Sequence, residues 1–135
     1  MRDSLKNFAE KGDVDGVRRL LAKGVPVDVI ENGRYNETPL LVAARAGHLE
    51  VVRLLLTSRA NVNHIDNDFF SPVTAAARAG KWAVVRVFAE RGGDFSVRDG
   101  YGKSGLDYLQ RCRSKRIRTE IATLLAQRRG AAEIG

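Results

Sequence analysis

Cysteine is almost missing from this 135-residue chain, with Cys112 the only one. That excludes a disulfide framework and a cysteine-based zinc cluster, and it makes a reducing, cytoplasmic setting the expectation. Histidine is limited to His48 and His64, and tryptophan to Trp82. The longest wholly apolar stretch, Leu40-Leu41-Val42-Ala43-Ala44, is far shorter than the roughly 20 residues a membrane span requires, so no membrane partner is expected. No apolar run follows the basic residues near Met1, so no secretory signal is expected either. Reactive patterns are missing too: there is no nucleotide-binding glycine loop, no His-x-x-x-His pair and no nucleophile elbow. Neither an enzyme, a cofactor nor a metal site is expected.

What is present is ordinary for one soluble folded domain, with 44% hydrophobic and 29% charged residues. The 23 basic and 16 acidic side chains leave a net charge of +7, unevenly spread. Residues 1–66 carry ten basic and nine acidic groups, whereas residues 67–135 carry thirteen and seven. Most of the excess lies in Arg111, Arg113, Lys115, Arg116, Arg118, Arg128 and Arg129, with Glu120 the only acid nearby. Basicity is therefore a property of the C-terminal end.

Self-similarity is the decisive signal. Thr38-Pro39-Leu40 returns as Ser71-Pro72-Val73 and again as Ser104-Gly105-Leu106, 33 residues apart each time. Arg45-Ala46-Gly47 becomes Arg78-Ala79-Gly80, and Glu50-Val51-Val52-Arg53-Leu54-Leu55 becomes Ala83-Val84-Val85-Arg86-Val87-Phe88. A fainter copy runs from Asp3-Ser4-Leu5 through Gly12 and Leu20-Leu21 to Val27-Asp28. Thr38 and Ser71 suit N-caps, since a side-chain oxygen takes a free first-turn amide. Pro39 and Pro72 then fall at the first helical position, where a missing N–H costs nothing. Gly47 and Gly80 mark left-handed helix ends. Leu49, Val52, Leu55 and Leu56, matched by Trp82, Val85 and Phe88, paint an apolar stripe on a second helix. Such short helices bury their stripes only by stacking copy on copy, with Ala43, Ala44, Ala76 and Ala77 allowing close approach.

Thr38-Pro39-Leu40, Ala43-Ala44, Gly47-His48-Leu49-Glu50-Val51-Val52 and Leu54-Leu55-Leu56 resemble the consensus of the ankyrin-repeat family, over roughly residues 3–128. The resemblance implies an all-α solenoid of helix-turn-helix units joined by hairpin-like fingers. The expected organisation is a single domain over 1–135, with an N-terminal cap at about 3–35, repeats at about 36–66 and 67–99, and a C-terminal cap at about 100–130. The last copy has Arg113 where Gly47 and Gly80 predict glycine, and its second helix should be longer and basic outside. Two extra residues fall within Glu31 to Asn36, where Asn32-Gly33 is a hairpin-turn signal, so that finger should project further.

The resemblance also places a binding surface. In the family, the fingers and the exposed sides of the first helices line a concave face. Carried over by position, the first-helix sites are Val42, Arg45 and Ala46, then Ala75, Arg78 and Ala79, then Tyr108 and Arg111. The finger sites are Arg34 and Tyr35, then Asn67, Asp68, Phe69 and Phe70, then Tyr101 and Lys103. Every finger thus carries an aromatic, and Phe69 replaces the glycine that the family prefers in its turn. Exposed rings flanked by arginine are the composition of interface hot spots. The bland alternative for Phe70 is packing between fingers. Trp82 occupies the Leu49 position and reads as core. His48 fills the family's usual turn position, where the ring bonds backbone, and His64 reads as a surface residue on a finger. Cys112 reads as a buried or bystander thiol, although nearby cations favour thiolate.

The function expected is that of a monomeric adaptor or inhibitor that binds another protein through its concave face, with the arginines pairing with the partner's carboxylates. An immunity-type or antitoxin protein is the alternative within that class. Nucleic-acid binding through the basic run from Arg111 to Arg118 is the rival from another class. It ranks lower, because no aromatics are interleaved for base stacking, and a solvated outer helix face explains the same charges.

Overall fold

A computed structural model describes residues 4–31 and 35–134, with side chains through residue 130. The hairpin signal at Asn32-Gly33 and the expected binding residue Arg34 lie outside the described residues. Among the described residues the chain forms eight helices and no strand: α1 (Leu5–Lys11), α2 (Val14–Ala22), α3 (Pro39–Ala46), α4 (Leu49–Thr57), α5 (Pro72–Arg78), α6 (Trp82–Glu90), α7 (Gly105–Leu109) and α8 (Lys115–Ile134). The all-α stack implied by the repeat is the fold observed.

Side-chain caps set where the inner helices begin. Ser4, Thr38, Ser71 and Ser104 are extended residues whose hydroxyls accept from the amides of Asn7, Leu41, Thr74 and Asp107. Ser71 and Ser104 are further locked by reciprocal bonds, in which Thr74 Oγ1 and Asp107 Oδ2 each accept the cap residue's own N–H at 2.9 Å. Pro39 and Pro72 sit in the first turn as expected. The ends are set by backbone handedness: Gly12, Gly47 and Gly80 have φ of +78°, +81° and +73°. In the last unit no such glycine exists, and α7 stops after five residues.

Helices of seven to nine residues are too short to persist alone. Packing supplies the stability. The inner helices stack in the order α1, α3, α5, α7 and the outer ones in the order α2, α4, α6, α8. Leu5, Val17, Leu40, Val52, Leu55, Val73, Val85, Phe88 and Ile121 are fully buried between the rows. Each large apolar side chain removed from water in this way adds about 1.5–3 kcal/mol. Close approach at the turns depends on glycine: a Cβ on Gly12 would lie 2.6 Å from the His48 ring, and one on Gly47 would lie 2.7 Å from Lys81.

The capping helix α8 runs for 20 residues, longer than any other, as the sequence suggests. Arg128 ties it to the body by donating to the carbonyls of Ala89 and Gly93, both at 3.1 Å, just where α6 ends. Arg86 links α6 to Glu120 of α8 at 3.2 Å. At the other end, Glu37 accepts from Lys6 at 3.1 Å and from Arg45 at 2.9 Å. Burial works to raise the Glu37 carboxyl, but these two cations outweigh it and hold it below its ordinary value.

Candidate protein-interaction face

The fingers are built around aspartates. In the second finger, Asp66 N–H donates to the Phe70 carbonyl at 2.9 Å and closes the hairpin. Asp66 Oδ1 then accepts from the amides of Asp68 and Phe70, both at 2.9 Å. The third finger repeats the pattern: Asp99 N–H reaches the Lys103 carbonyl, and Asp99 Oδ1 accepts from Tyr101 and Lys103. Desolvation is the largest influence on the Asp66 carboxyl; it outweighs the two amide bonds and pushes the group above its ordinary value. Neither aspartate is among the sequence-based site residues. The signal for them is their 33-residue spacing before aromatic tips, together with the habit of aspartate to bond backbone two residues on.

One repeat position in the finger segments holds a left-handed residue. Asn36, Phe69 and Gly102 have φ of +57°, +65° and +75°. The position 69 backbone therefore has the conformation that glycine adopts most readily, yet holds phenylalanine. The ring is 63% exposed. Tyr35 and Tyr101 at the neighbouring tips are 44% and 64% exposed. Phe70 is half-buried and meets the Tyr101 ring edge-on, with centroids 5.9 Å apart, so it packs between fingers while Phe69 stands clear. Asn67 and Asp68 are exposed and Lys103 is half-buried. A Cβ on Gly100 would come within 2.7 Å of the Asp68 carbonyl oxygen, which shows how closely the two fingers abut.

Fingers are also joined along the row. Asn67 N–H donates to the Tyr35 carbonyl at 2.9 Å. His64, expected to be a plain surface residue, instead donates from Nε2 to the Asn36 carbonyl at 2.9 Å. His48 does bond backbone, but in the preceding unit: its Nε2 donates to the Glu10 carbonyl at 2.9 Å.

Behind the fingers, the first-helix expectations divide by repeat position. Arg45, Arg78 and Arg111 are exposed. Arg45 already pairs with Glu37, Arg78 lies 4.6 Å over the Tyr101 ring, and Arg111 lies 5.8 Å from the Tyr108 ring. The preceding position is a correction. The resemblance puts Val42, Ala75 and Tyr108 on the open side, and all three are buried, Tyr108 to 4% exposure. α3 packs between α1 and α5, and α5 between α3 and α7, so Val42 and Ala75 are covered from both sides, while Tyr108 on α7 is drawn against α5 and the third finger. Tyr108 instead donates its hydroxyl to Asp99 Oδ2. Burial, followed by that bond and the Asp99 charge, pushes its hydroxyl up to about 12.

Trp82 is less enclosed than a core residue: it is half-buried, with one side packed on the core. Cys112 is buried, as expected. Among the described residues no cluster of three or more His, Cys, Asp or Glu side chains is arranged to hold a metal ion, and no helix is long and apolar enough to cross a membrane. The surface offers rings, cations and backbone edges, the materials of non-covalent recognition.

A family model of ankyrin repeats matches residues 5–99 in three copies. The chain belongs to the ankyrin-repeat family. Ankyrin repeats are modules that bind other proteins and are generally non-catalytic. Bovine cyclin-dependent kinase 4 inhibitor B is 35% identical over 107 residues, covering 78% of this chain and 79% of that protein. The ankyrin chain is also 28% identical over 125 residues to the mouse inactive serine/threonine-protein kinase TEX14, covering 82% of this chain but only 8% of that protein. With human ankyrin repeat and SOCS box protein 3 it shares 33% identity over 89 residues, covering 64% of this chain and 17% of that protein. The ankyrin chain thus spans less than a tenth of TEX14 and most of the bovine inhibitor.

Proposed function

We propose that this protein is a non-catalytic adaptor or inhibitor that engages one partner protein through its finger tips and the open stripe of its inner helices. The observation that carries the reading is the row of exposed rings at Tyr35, Phe69 and Tyr101. Phe69 supports it most strongly, because an L residue held in a left-handed turn costs about 1–2 kcal/mol. Holding a large ring in water at that cost is unexplained by folding and fits a contact made with something else. Asp68 and Phe70 complete the finger surface, Lys103 flanks Tyr101, and Arg78 and Arg111 supply cations. Arg45 contributes less, since Glu37 already pairs with it. The bovine relative, named for inhibiting a kinase and matched over 79% of its length, supports an inhibitory role. A monomer in the cytoplasm is the form we infer, the compartment fitting a free, buried cysteine. An immunity or antitoxin role is the same mechanism with a toxin as partner.

Affinity capture from native lysate tests the reading, with mass spectrometry of what is retained. The wild-type chain should hold a discrete protein that the Tyr35→Ala/Phe69→Ala variant loses. Equal recovery by both would remove the finger tips from the interface.

A further inference from the structure

Three arginines gather around one cleft with no acid of the described residues paired to them. The cleft has a volume of about 690 Å³ and lies where α5 and α7 end, with Arg78, Arg111 and Arg113 at its edge and Trp82, Tyr108 and Ile117 in its wall. Among the described residues none of these three arginines forms an ion pair. Several other arginines have carboxylates, as Arg45 has Glu37, Arg86 has Glu90 and Glu120, Arg98 has Asp107 and Arg116 has Glu120, and what sets Arg78, Arg111 and Arg113 apart is that three unpaired ones line a single cleft. Asp99, bonded to the Tyr108 hydroxyl in the cleft wall, does not answer them. It is buried, and both of its oxygens are occupied, by the amides of Tyr101 and Lys103 and by the Tyr108 hydroxyl. Three like charges in one concavity repel, and repulsion of this kind is relieved by a bound anion.

We propose that this cleft receives an acidic segment of the partner protein, with carboxylates on the arginines and one apolar side chain against Trp82. The inference rests on the interaction-face reading and names its chemistry. Two departures from the repeat meet here. Trp82 stands where the previous unit has Leu49, and Arg113 stands where Gly47 and Gly80 close the earlier inner helices. The first adds a broad half-buried ring, and the second adds a cation at a turn that elsewhere has no side chain.

Ring contacts hold two of the guanidinium groups without neutralising them. Arg78 lies over Tyr101 at 4.6 Å and Arg111 lies beside Tyr108 at 5.8 Å, which leaves the planar N–H forks for bidentate carboxylate binding. Arg78 also makes the cleft continuous with the exposed finger row, so an extended chain crossing Tyr101 arrives at it. A cleft of this size suits a short peptide segment better than a lone ion. Nucleic acid fits less well: the arginines cluster at one concavity instead of tracking a backbone, and a single half-buried indole gives no series of stacking platforms.

Trp82 is the only tryptophan; it also lines the neighbouring cleft of Arg53, Arg86 and Glu120, so the arginine variant below is what assigns an emission change to this cleft. The probes are a heptapeptide of six glutamates around a central leucine, the same peptide with glutamine in place of glutamate, and an oligothymidylate. The glutamate peptide should change Trp82 emission saturably and bind at least tenfold more weakly to the Arg111→Gln/Arg113→Gln variant, whose unfolding midpoint should match wild type. The Arg19→Gln variant, which removes an exposed cation of α2 outside the cleft, should respond like wild type. No saturable change, an equal response to the glutamine peptide, or tighter binding of the oligothymidylate would overturn the proposal. Partner capture separates this from the broader reading. Normal capture by the arginine variant with loss by the Tyr35→Ala/Phe69→Ala variant overturns the cleft alone, whereas loss by both supports it.

Discussion

Phe69 offers a direct way to separate what the fold needs from what the surface does. Its backbone lies at φ +65°, and the equivalent residue of the next finger is Gly102 at φ +75°, where a Cβ would meet nothing within 4 Å. Gly102→Ala therefore measures the cost of a left-handed L residue with no steric collision. An L residue there costs about 1–2 kcal/mol, and the narrower unfolded ensemble of alanine returns about 0.4–1 kcal/mol. A net loss of about 0.5–1 kcal/mol is expected. At position 69 the same balance applies in reverse: Phe69→Gly should be more stable than Phe69→Ala by a similar amount. Both lose what little burial the ring has, since it is 63% exposed. Phe69→Gly should thus stay within about 1 kcal/mol of wild type, as surface changes do. Urea unfolding followed by circular dichroism resolves this, because 1 kcal/mol moves the midpoint by roughly 0.5 M at the usual slope. Both variants should lose partner binding by about 2 kcal/mol or more. A Phe69→Gly chain destabilised by more than about 2 kcal/mol would show that the ring is packed in the fold. Equal stability of the glycine and alanine variants would show that the turn carries no left-handed cost.

Other outcomes follow from single contacts. Gly47→Val should cost more than about 2 kcal/mol in thermal unfolding, because a β-branched residue resists φ +81° and its side chain would crowd Lys81. Tyr108 holds its proton more tightly folded than unfolded, so the stability it adds is whole below pH 10 and is lost as pH rises towards about 12. Alkaline unfolding of wild type should show a loss on the order of 2 kcal/mol across that window, and Tyr108→Phe should be less stable at neutral pH by about 1–3 kcal/mol with a shallower alkaline slope. Arg128→Ala should free the end of α8 from Ala89 and Gly93, seen as faster amide exchange over residues 122–130 with α3 and α5 unchanged.

The repeat makes the architecture legible. A 33-residue period with Thr38, Ser71 and Ser104 as caps and Gly47 and Gly80 as stops places the inner and outer helices of the last three units, because caps and left-handed ends are written in single residues. The site is legible only in part. Tyr35, Phe69 and Tyr101 are exposed as the sequence suggests, whereas the position shared by Val42, Ala75 and Tyr108 reads as open and is covered, because covering depends on the neighbouring helices and fingers and not on the residue itself. Contacts between distant residues are silent for a similar reason. Nothing local to His64 points to Asn36, and nothing local to Arg128 points to the carbonyls that end α6. Arg78 and Arg111 read as a column available to carboxylates; that no acid of the described chain pairs with them emerges only when the ends of α5 and α7 meet α8 at one cleft.

Photocrosslinking in cells tests the interaction face most directly. A benzophenone amino acid placed at position 69 or 101 should yield one discrete adduct to another protein, while the same group at Arg53, exposed on the outer helix α4, should yield none. Adducts from position 53 with silence at 69 and 101, or adducts to nucleic acid from the finger tips, would contradict the account.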